Sequence, residues 1–274
     1  MSRRLLWAPF AIMNKQIKHD IHHMYQQSVQ CVEAEIDFVN ATYLAIRGNH
    51  ARYLREDFSG TGQTAGEWVD RNKDNKAWAV DLDDEVIAWG KANVLSQLTN
   101  ASHLQFLKAD VRNSGIVNMD IVLAMNFSYF IFMDRISMRD YFISVKNSLE
   151  QTGVFFLDAF GGYEAQKELK EERECNGFTY IWDQASYNPI NSEMQCYIHF
   201  KTDDGVEFNR AFSYYWRFWS LPELQELLLE AGFSQVDIYW EGTDKESGEG
   251  DGIFKATKLG SADAGWVCYI VALP

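Results

Sequence analysis

The chain has 274 residues and 47% hydrophobic content, so it can bury a substantial core as one large domain or one domain with an insertion. Its formal net charge of −14 argues against the common nucleic-acid-binding classes, which attract phosphate through clustered Lys and Arg. No apolar run is long enough to span a bilayer, and residues 1–7 are followed too soon by polar residues for a signal peptide, so we expect a cytoplasmic protein.

The N-terminal part of the chain shows helical periodicity. Residues 15–47 are predicted to form one or two helices, because apolar side chains recur on one face at Ile36, Val39, Tyr43, Leu44 and Ile46. These helices precede the first predicted core strand. We therefore expect residues 1–50 to form a helical extension and residues 51–274 to form the main domain.

The pattern of metal-binding residues does not predict a metal site. His19, His22 and His23 share a helix face in part, but no Cys or acidic residue at suitable spacing completes a set of ligands. The four cysteines, at positions 31, 175, 196 and 268, lie far apart and form no CxxC pair. This spacing favours reduced and mostly packed thiols.

Residues 54–64 form the most informative stretch, since a buried strand here breaks into a glycine turn and then begins a helix. Ser59, Gly60 and Gly62 are small residues placed where the backbone must approach a ligand closely. The helix beginning near residue 64 presents free N–H groups with partial positive charge. Asp81 ends the next apolar run, about 20 residues on, where a ribose-binding carboxylate is needed. This arrangement is typical of nucleotide binding.

Two further strand-like runs end in polar residues. Asp110 follows residues 104–109, where its carboxylate or the neighbouring amide can meet the amino group of an adenine. Asn126 follows residues 121–125 and is expected at a fourth carboxyl end. Strand and helix patterns alternate through residues 154–160, which predicts a doubly wound parallel sheet. In such a sheet these ends face one crevice, where ligands bind.

The C-terminal third has a different residue pattern, with mostly strand-like runs. Aromatic and β-branched runs at 178–182, 194–200 and 208–217 predict antiparallel strands, separated by turns at 188–189 and 203–205. A helix is expected after Ser220, with Pro222 and Glu223 in its first turn and Gly232 at its end. Residues 236–240 and 266–272 are predicted to be the last two strands, with 241–252 as a loop between them.

The order of these motifs resembles the class I S-adenosylmethionine-dependent methyltransferases from about residue 50 to the C-terminus. More narrowly, Leu-Arg-Glu-Asp-Phe-Ser-Gly-Thr (54–61) is similar to the first motif of a bacterial subgroup of that family. The resemblance implies a Rossmann-like, doubly wound seven-stranded sheet with an antiparallel C-terminal hairpin. It also implies N-terminal helices over the cofactor and an inserted antiparallel β lid at about 163–217.

The resemblance implies S-adenosylmethionine as cofactor. Glu56, Gly60 and Gly62 match the glycine-rich first motif, Asp81 the ribose carboxylate and Asp110 the adenine-contacting acid. Phe58 departs from the family, because it stands where the first glycine is usual. The full set of expected cofactor-binding residues is Tyr25, Gln30, Arg55, Glu56, Asp57, Ser59, Gly60, Gly62, Asp81, Leu82, Asp110, Val111 and Asn126. For Arg55 and Asp57, a plain ion pair is about equally compatible with the sequence.

Asn126 and Tyr129 are the candidate catalytic residues, since they belong to the segment Asn-Phe-Ser-Tyr that matches the fourth family motif. Methyl transfer asks the protein mainly to align a nucleophile, N or O, with the methyl group. Within the predicted lid, Trp182, Asp183, Tyr215 and Arg217 are candidate contacts to a small-molecule substrate, because charges among aromatic rings are either paired or bind a ligand. A structural pair between such charges is the alternative.

Two other functions fit parts of the pattern. A nicotinamide-dependent oxidoreductase would also use the glycine turn and Asp81, although the chain lacks a Gly-x-Gly-x-x-Gly motif. A non-catalytic S-adenosylmethionine-binding protein is compatible with Phe58 at a glycine position. Neither the methyl acceptor nor the oligomeric state follows from the sequence.

Overall fold

The computed structural model describes residues 19–244 and 250–274. Its helices are α1 Ile21–Val29, α2 Val32–Arg47, α3 Gln63–Arg71, α4 Asp84–Asn93, α5 Arg135–Ser148 and α6 Leu221–Glu230. Its strands are β1 Tyr53–Asp57, β2 Lys76–Asp81, β3 Leu104–Lys108, β4 Met119–Ala124, β5 Leu149–Gly161, β6 Leu169–Cys175, β7 Phe178–Asn188, β8 Glu193–Thr202, β9 Glu207–Arg217, β10 Gln235–Thr243, β11 Gly250–Thr257 and β12 Trp266–Leu273.

A large mixed sheet forms the centre of the molecule, with strand order β11-β10-β12-β5-β4-β1-β2-β3. Strands β1 to β5 pair in parallel. Parallel strands are covered by helices on both faces, and the nearly continuous burial of β1, β4 and the second half of β5 follows from this. The predicted doubly wound sheet is therefore confirmed, with the carboxyl ends of β1, β2, β4 and β5 along one edge.

The antiparallel C-terminal strands are also confirmed, and the sheet has one strand more than the seven predicted. β12 pairs antiparallel with both β5 and β10, and β11 pairs antiparallel with β10 at the edge. The prediction of a loop over 241–252 was wrong at both ends, because β10 continues to Thr243 and β11 begins at Gly250. Residues 245–249 lie outside the described residues.

A second, four-stranded antiparallel sheet, here called the inserted sheet (β6–β9), lies between β5 and α6 in the chain. Three of its strands fall where aromatic and β-branched runs predicted them. The first, β6, was missed because its sequence, LKEEREC, is mostly charged and half exposed. Its neighbour β7 nevertheless pairs with it along seven residues.

Two apolar clusters cover the two faces of the large sheet. One packs α5 and α6 against the sheet through residues such as Phe142, Leu224 and Trp219. The other packs α2 and α3 through Ile36, Val39 and Trp68. A third, smaller cluster joins Met24 of α1 to Phe178 and Phe200 of the inserted sheet. None of the described helices has both the length and the apolar character needed to cross a membrane.

Candidate functional site at the carboxyl edge of the sheet

The glycine turn after β1 contains three residues with a left-handed backbone conformation. Phe58, Gly60 and Gly62 have φ values of +56°, +53° and +70°. A Cβ at Gly62 would lie 2.6 Å from the Phe106 ring, so this position needs glycine for space as well as for backbone. A Cβ at Gly60 would meet no atom within 4 Å. The turn therefore presents open space in front of Gly60.

Phe58, which departs from the motif that the sequence resembles, has a left-handed backbone conformation that glycine adopts more readily. A non-glycine residue in the left-handed region costs on the order of 1 kcal/mol. Its ring packs against Phe132 and Tyr141, at centroid distances of 6.0 and 5.6 Å, and this burial offsets the cost. The turn therefore accommodates a non-glycine residue at this position.

Asp81 lies at the end of β2 beside the glycine turn, as predicted. Its carboxylate accepts hydrogen bonds from the N–H of Gly60, at 2.7 Å, and of Asp83, at 3.0 Å. Next to it, Leu82 is 61% exposed. A large apolar side chain with this exposure at a strand end provides a surface on which a flat ligand can pack.

Asp110 follows β3 and begins the next turn by accepting from the N–H of Arg112 at 2.9 Å. The Arg112 guanidinium also holds both carboxylate oxygens and, as the largest cause, keeps the pKa of Asp110 below its usual value. Val111 is buried. Of this pair, the Asp110 carboxylate is the group left partly accessible at the sheet edge.

Arg55 and Asp57 form a buried ion pair, which is the structural alternative stated for them. Each is 1% exposed, and the Arg55 Nε lies 2.8 Å from Asp57 Oδ1. The hydroxyl of Tyr141 donates to the same carboxylate at 3.0 Å. Arg55 also donates to the carbonyl of Ile116 at 3.2 Å. Their partners are thus protein groups beneath the turn.

Glu56, between these two residues, points the other way and forms no ion pair with a cation among the residues that the structure describes. Its carboxylate accepts from the N–H of Ala65 at 2.9 Å, in the first turn of α3. Burial raises the pKa of Glu56 to about 8, although that backbone bond and the positive end of α3 favour the ionised form.

Asp158, at the carboxyl end of β5, is a site residue that the sequence reasoning missed. Its two oxygens accept from the N–H groups of Asn126 and Phe127, at 2.8 and 2.9 Å. Both of those residues have positive φ, so Asp158 holds the loop after β4 in a left-handed conformation. Burial raises the pKa of Asp158 to about 7. Like Asp81 and Asp110, it follows an apolar strand, which is the signal that could have found it.

Tyr129 does not face this edge, contrary to the expectation of a catalytic role. It is fully buried, and its hydroxyl donates to the backbone carbonyl of Asp158 at 2.6 Å. Its ring packs against Phe130 and Phe142. The tyrosine belongs to the core beneath the loop, whereas Asn126 lies in the loop itself and is half-buried.

Helix α1 crosses the glycine turn and joins it to the inserted sheet. Gln26 donates from Nε2 to the Thr61 hydroxyl at 2.8 Å. The Tyr25 hydroxyl forms a hydrogen bond with that of Tyr214, and burial raises the pKa of Tyr25 to about 12. Gln30, just after α1, is buried, and its Oε1 has no hydrogen-bond partner. Contact of Tyr25 and Gln30 with the cofactor stays a prediction.

His19, which precedes α1, and His22 and His23 within it make separate contacts. The Nε2 of His19 lies 3.2 Å from the Asp204 carboxylate, and the ring of His22 packs on Trp89. His23 bonds with Gln27 one turn on.

Glu35, on α2, is a second residue that the sequence did not indicate. It is 8% exposed and its Oε2 has no hydrogen-bond partner. Burial and the charge of Asp158 raise the pKa of Glu35 to about 7, and Glu35 in turn raises that of Glu56. Glu35 is thus close enough to Asp158 and to Glu56 for its charge to repel each of theirs. None of them forms an ion pair with a Lys, Arg or His within residues 19–244 and 250–274.

The four predicted substrate contacts are divided between the faces and edges of the inserted sheet. Asp183 binds Lys170 and His199 at 3.0 and 3.1 Å, and the exposed Tyr215 hydroxyl donates to Glu193. Arg217 binds Glu223 at 3.0 Å, so the suggested pair with Asp183 does not form. Trp182 packs against Tyr214 and Trp216 toward the main core.

The sequence matches no protein-family model and no curated protein. The fold, by contrast, is similar to solved structures. An S-adenosylmethionine-dependent methyltransferase from Clostridium acetobutylicum superposes with a TM-score of 0.67 at 18% identity, over 92% of this chain and 97% of that one. The amino pentose methyltransferase CalS10 from Micromonospora echinaspora gives 0.66 at 14% identity, over 97% and 100%. The sugar N-methyltransferase KedS8 from a Streptoalloteichus species gives 0.62 at 17% identity, over 98% of both chains. The chain therefore has the fold of S-adenosylmethionine-dependent methyltransferases.

Proposed function

We propose that the protein is an S-adenosylmethionine-dependent methyltransferase that acts on a small-molecule nucleophile. The observation that carries the proposal is the set of buried polar groups left without partners around the glycine turn. Among the described residues they include Ser59 Oγ in the turn, Gln63 Oε1 at the start of α3, and Gln30 Oε1 just after the helix whose Gln26 binds Thr61. An unsatisfied buried polar group costs about 1–3 kcal/mol, so such groups near one turn favour a ligand that completes their hydrogen bonds.

The residues at the turn fit the cofactor. Gly60, with open space before it, and the first turn of α3 would face its amino-acid part together with Glu56, whose carboxyl suits an ammonium group. Asp81 would bind the ribose hydroxyls, and Leu82 and Asp110 would lie against the adenine. Arg55 and Asp57 would support the turn from beneath through their own ion pair.

When bound, the cofactor supplies an activated methyl group on a positively charged sulfur. The protein's own residues then orient the acceptor, exclude water and take up a proton. Helix α1 and the inserted sheet would cover the edge of the large sheet, since Tyr25 joins Tyr214 and Gln26 joins Thr61. Asn126 remains the candidate at the loop that Asp158 anchors, and Trp182 remains a candidate wall of the acceptor site.

We also propose the finer assignments that the motif suggests. The motif at residues 54–61 supports membership of the bacterial subgroup that it resembles, and we propose that residues 51–274 form the catalytic domain behind the 1–50 extension. The sugar N-methyltransferase and the amino pentose methyltransferase of the same fold support a small acceptor with a nitrogen or oxygen nucleophile. Two acids near the carboxyl ends of strands, Asp81 on β2 and Asp158 on β5, lie on either side of β1 in the sheet.

Calorimetric titration with S-adenosylmethionine, S-adenosylhomocysteine and NADH tests the proposal. We expect both adenosyl ligands to bind and NADH not to bind. The Asp81→Ala variant should bind them about 100-fold more weakly, because two hydrogen bonds to an ionised group are lost. Asp84→Ala is the matched control, since Asp84 lies three residues away in an exposed ion pair with Lys108 and should leave affinity unchanged.

Other outcomes point elsewhere. Binding of NADH alone would support an oxidoreductase and contradict the proposal. Tight binding of both adenosyl ligands without transfer of the methyl group to any amine, acid or phenol would indicate a non-catalytic binding protein. Equal loss of affinity in Asp84→Ala would show that the whole loop, rather than the carboxylate of Asp81, had been disturbed.

A further inference from the structure

The positions of Glu35 and Asp158 have a consequence for the substrate. Both carboxyls are more than nine-tenths buried, and they come from α2 and β5. Glu35 lies about one turn of α2 before Phe38, whose ring stacks at 4.3 Å on Tyr269, the residue paired with Asp158 in the sheet. The charges of both acids help to raise the pKa of Tyr25. Asp158 already accepts two backbone hydrogen bonds, while Glu35 has one oxygen with no partner. A buried carboxyl without a cation is costly, so the pair favours a positively charged ligand.

The number of unpaired acids indicates that this positively charged ligand is a second molecule and not the cofactor. S-adenosylmethionine brings a sulfonium, an ammonium and a carboxylate, and so carries one net positive charge. Glu56, at the start of α3, is enough to match it. Glu35 and Asp158 then remain as two acidic groups with no positive partner in the part of the chain that the structure describes.

The walls beside these acids are aromatic. Tyr214 hydrogen-bonds Tyr25 and packs on Trp216 at 4.6 Å, and Trp216 packs on Trp182 at 6.2 Å. The indole N–H of Trp216, a side chain only 3% exposed, has no acceptor. Aromatic faces attract cations, and the unused N–H suits an acceptor atom elsewhere on the same ligand.

We propose that Glu35 and Asp158 bind the amino group of the methyl acceptor, so that the substrate is a primary or secondary amine enclosed by α1 and the inserted sheet. This inference rests on the proposed function. The amine enters as an ammonium ion, one N–H bond breaks, and the proton moves to a carboxylate oxygen of the pair. The carboxylate becomes a neutral carboxyl, and the nitrogen keeps the electron pair that makes it a nucleophile.

Binding should be linked to proton release, because burial holds part of this pair protonated near neutral pH and a cation favours the ionised form. The titratable groups that interact with Glu35 come from the elements packed around it: Glu56 on β1, Asp158 on β5, Tyr25 on α1, Tyr269 on β12 and Cys31 before α2. Mutating Glu35 alone separates the protons that it releases from those released by these groups.

The experiment is calorimetry of the full chain saturated with S-adenosylhomocysteine, using matched probes that differ only in charge: benzylamine with benzyl alcohol, and cyclohexylamine with cyclohexanol. We expect the amines to bind at least about tenfold more tightly than the alcohols, with protons released when two buffers of different ionisation enthalpy are compared. Glu35→Gln should remove most of this preference and of the released protons.

Glu33→Gln is the matched control, because Glu33 lies on the same helix two residues away with an exposed side chain. Alcohols binding as tightly as amines, no binding of either amine, or an unchanged preference in Glu35→Gln would each overturn the inference. The affinity for S-adenosylhomocysteine is measured in every variant. If the wild-type chain fails to bind it, the proposed function fails; if it binds and the amines do not, only the substrate class fails.

Discussion

Glu56 and Asp57 are neighbours on β1, are both buried and have opposite surroundings. Asp57 is held by the guanidinium of Arg55 and the hydroxyl of Tyr141. Glu56 has only backbone and hydroxyl donors, and faces Glu35 rather than a cation. Because successive side chains of a strand point to opposite faces, one acid belongs to the interior and the other to the crevice.

The contrast teaches how to separate buried charges that support a fold from those that await a ligand. Burial raises the pKa of Asp57, and Arg55 and Tyr141 oppose that rise within the protein. For Glu35, Glu56 and Asp158 no such cation is present among the described residues, and each pKa is raised to about 7 or 8. Strongly shifted acids in a crevice are typical of functional sites.

The largest expected effect on stability comes from breaking the buried ion pair between Arg55 and Asp57. Arg55→Met leaves Asp57 buried without its cation, and we expect it to lower the free energy of unfolding by about 3–5 kcal/mol, measured by urea denaturation. The double variant Arg55→Met with Asp57→Leu should recover much of this loss, because no charge is then left uncompensated. Arg71→Met, which breaks an exposed pair with Glu67, is the control and should cost less than about 1 kcal/mol. Equal losses for Arg55→Met and Arg71→Met would contradict the assigned role.

The role of the buried acids that lack a cation is tested by the pH dependence of stability. The pKa of Glu56 is raised by folding from about 4.5 to about 8, so the folded chain holds a proton that the unfolded chain releases. Stability of the ligand-free protein should therefore fall as pH rises from 5 to 8, by about 3–4 kcal/mol from this group alone. Thermal or urea unfolding at several pH values should show a weaker decline in Glu56→Gln. A decline of the same size in both proteins would mean that Glu56 is not the group responsible.

The smallest expected effect on stability comes from weakening the contact between α1 and the glycine turn. Gln26→Ala removes the hydrogen bond from α1 to Thr61 and should cost about 1 kcal/mol. We expect amide hydrogen exchange in α1 to speed up by about fivefold while β1 and β4 remain protected. Gln27→Ala, at the neighbouring exposed position, is the control. Unchanged exchange in Gln26→Ala would show that α1 is held by its other contacts.

Sequence patterns predicted the large sheet and the residues at its edge because strands and turns depend on residues that are close together in the chain. The strand, glycine turn and helix at 54–71 and the acids at 81 and 110 all follow apolar runs, and the turn was found even with Phe58 in place of glycine. The same pattern placed Tyr129 at the edge, and there it was wrong. A loop with two positive φ values turns that side chain into the core, and nothing in the local sequence marks those angles.

The sequence by itself determined the order of strands and helices, the nucleotide-type turn and the acidic residues at strand ends, since periodicity and turn chemistry act over a few residues. Only the tertiary structure decided which buried charges are paired, because Glu35, Glu56 and Asp158 come from three separate elements. It also decided that α1 lies across the turn and that the inserted sheet covers it. Such contacts depend on packing between distant segments, which no local pattern encodes.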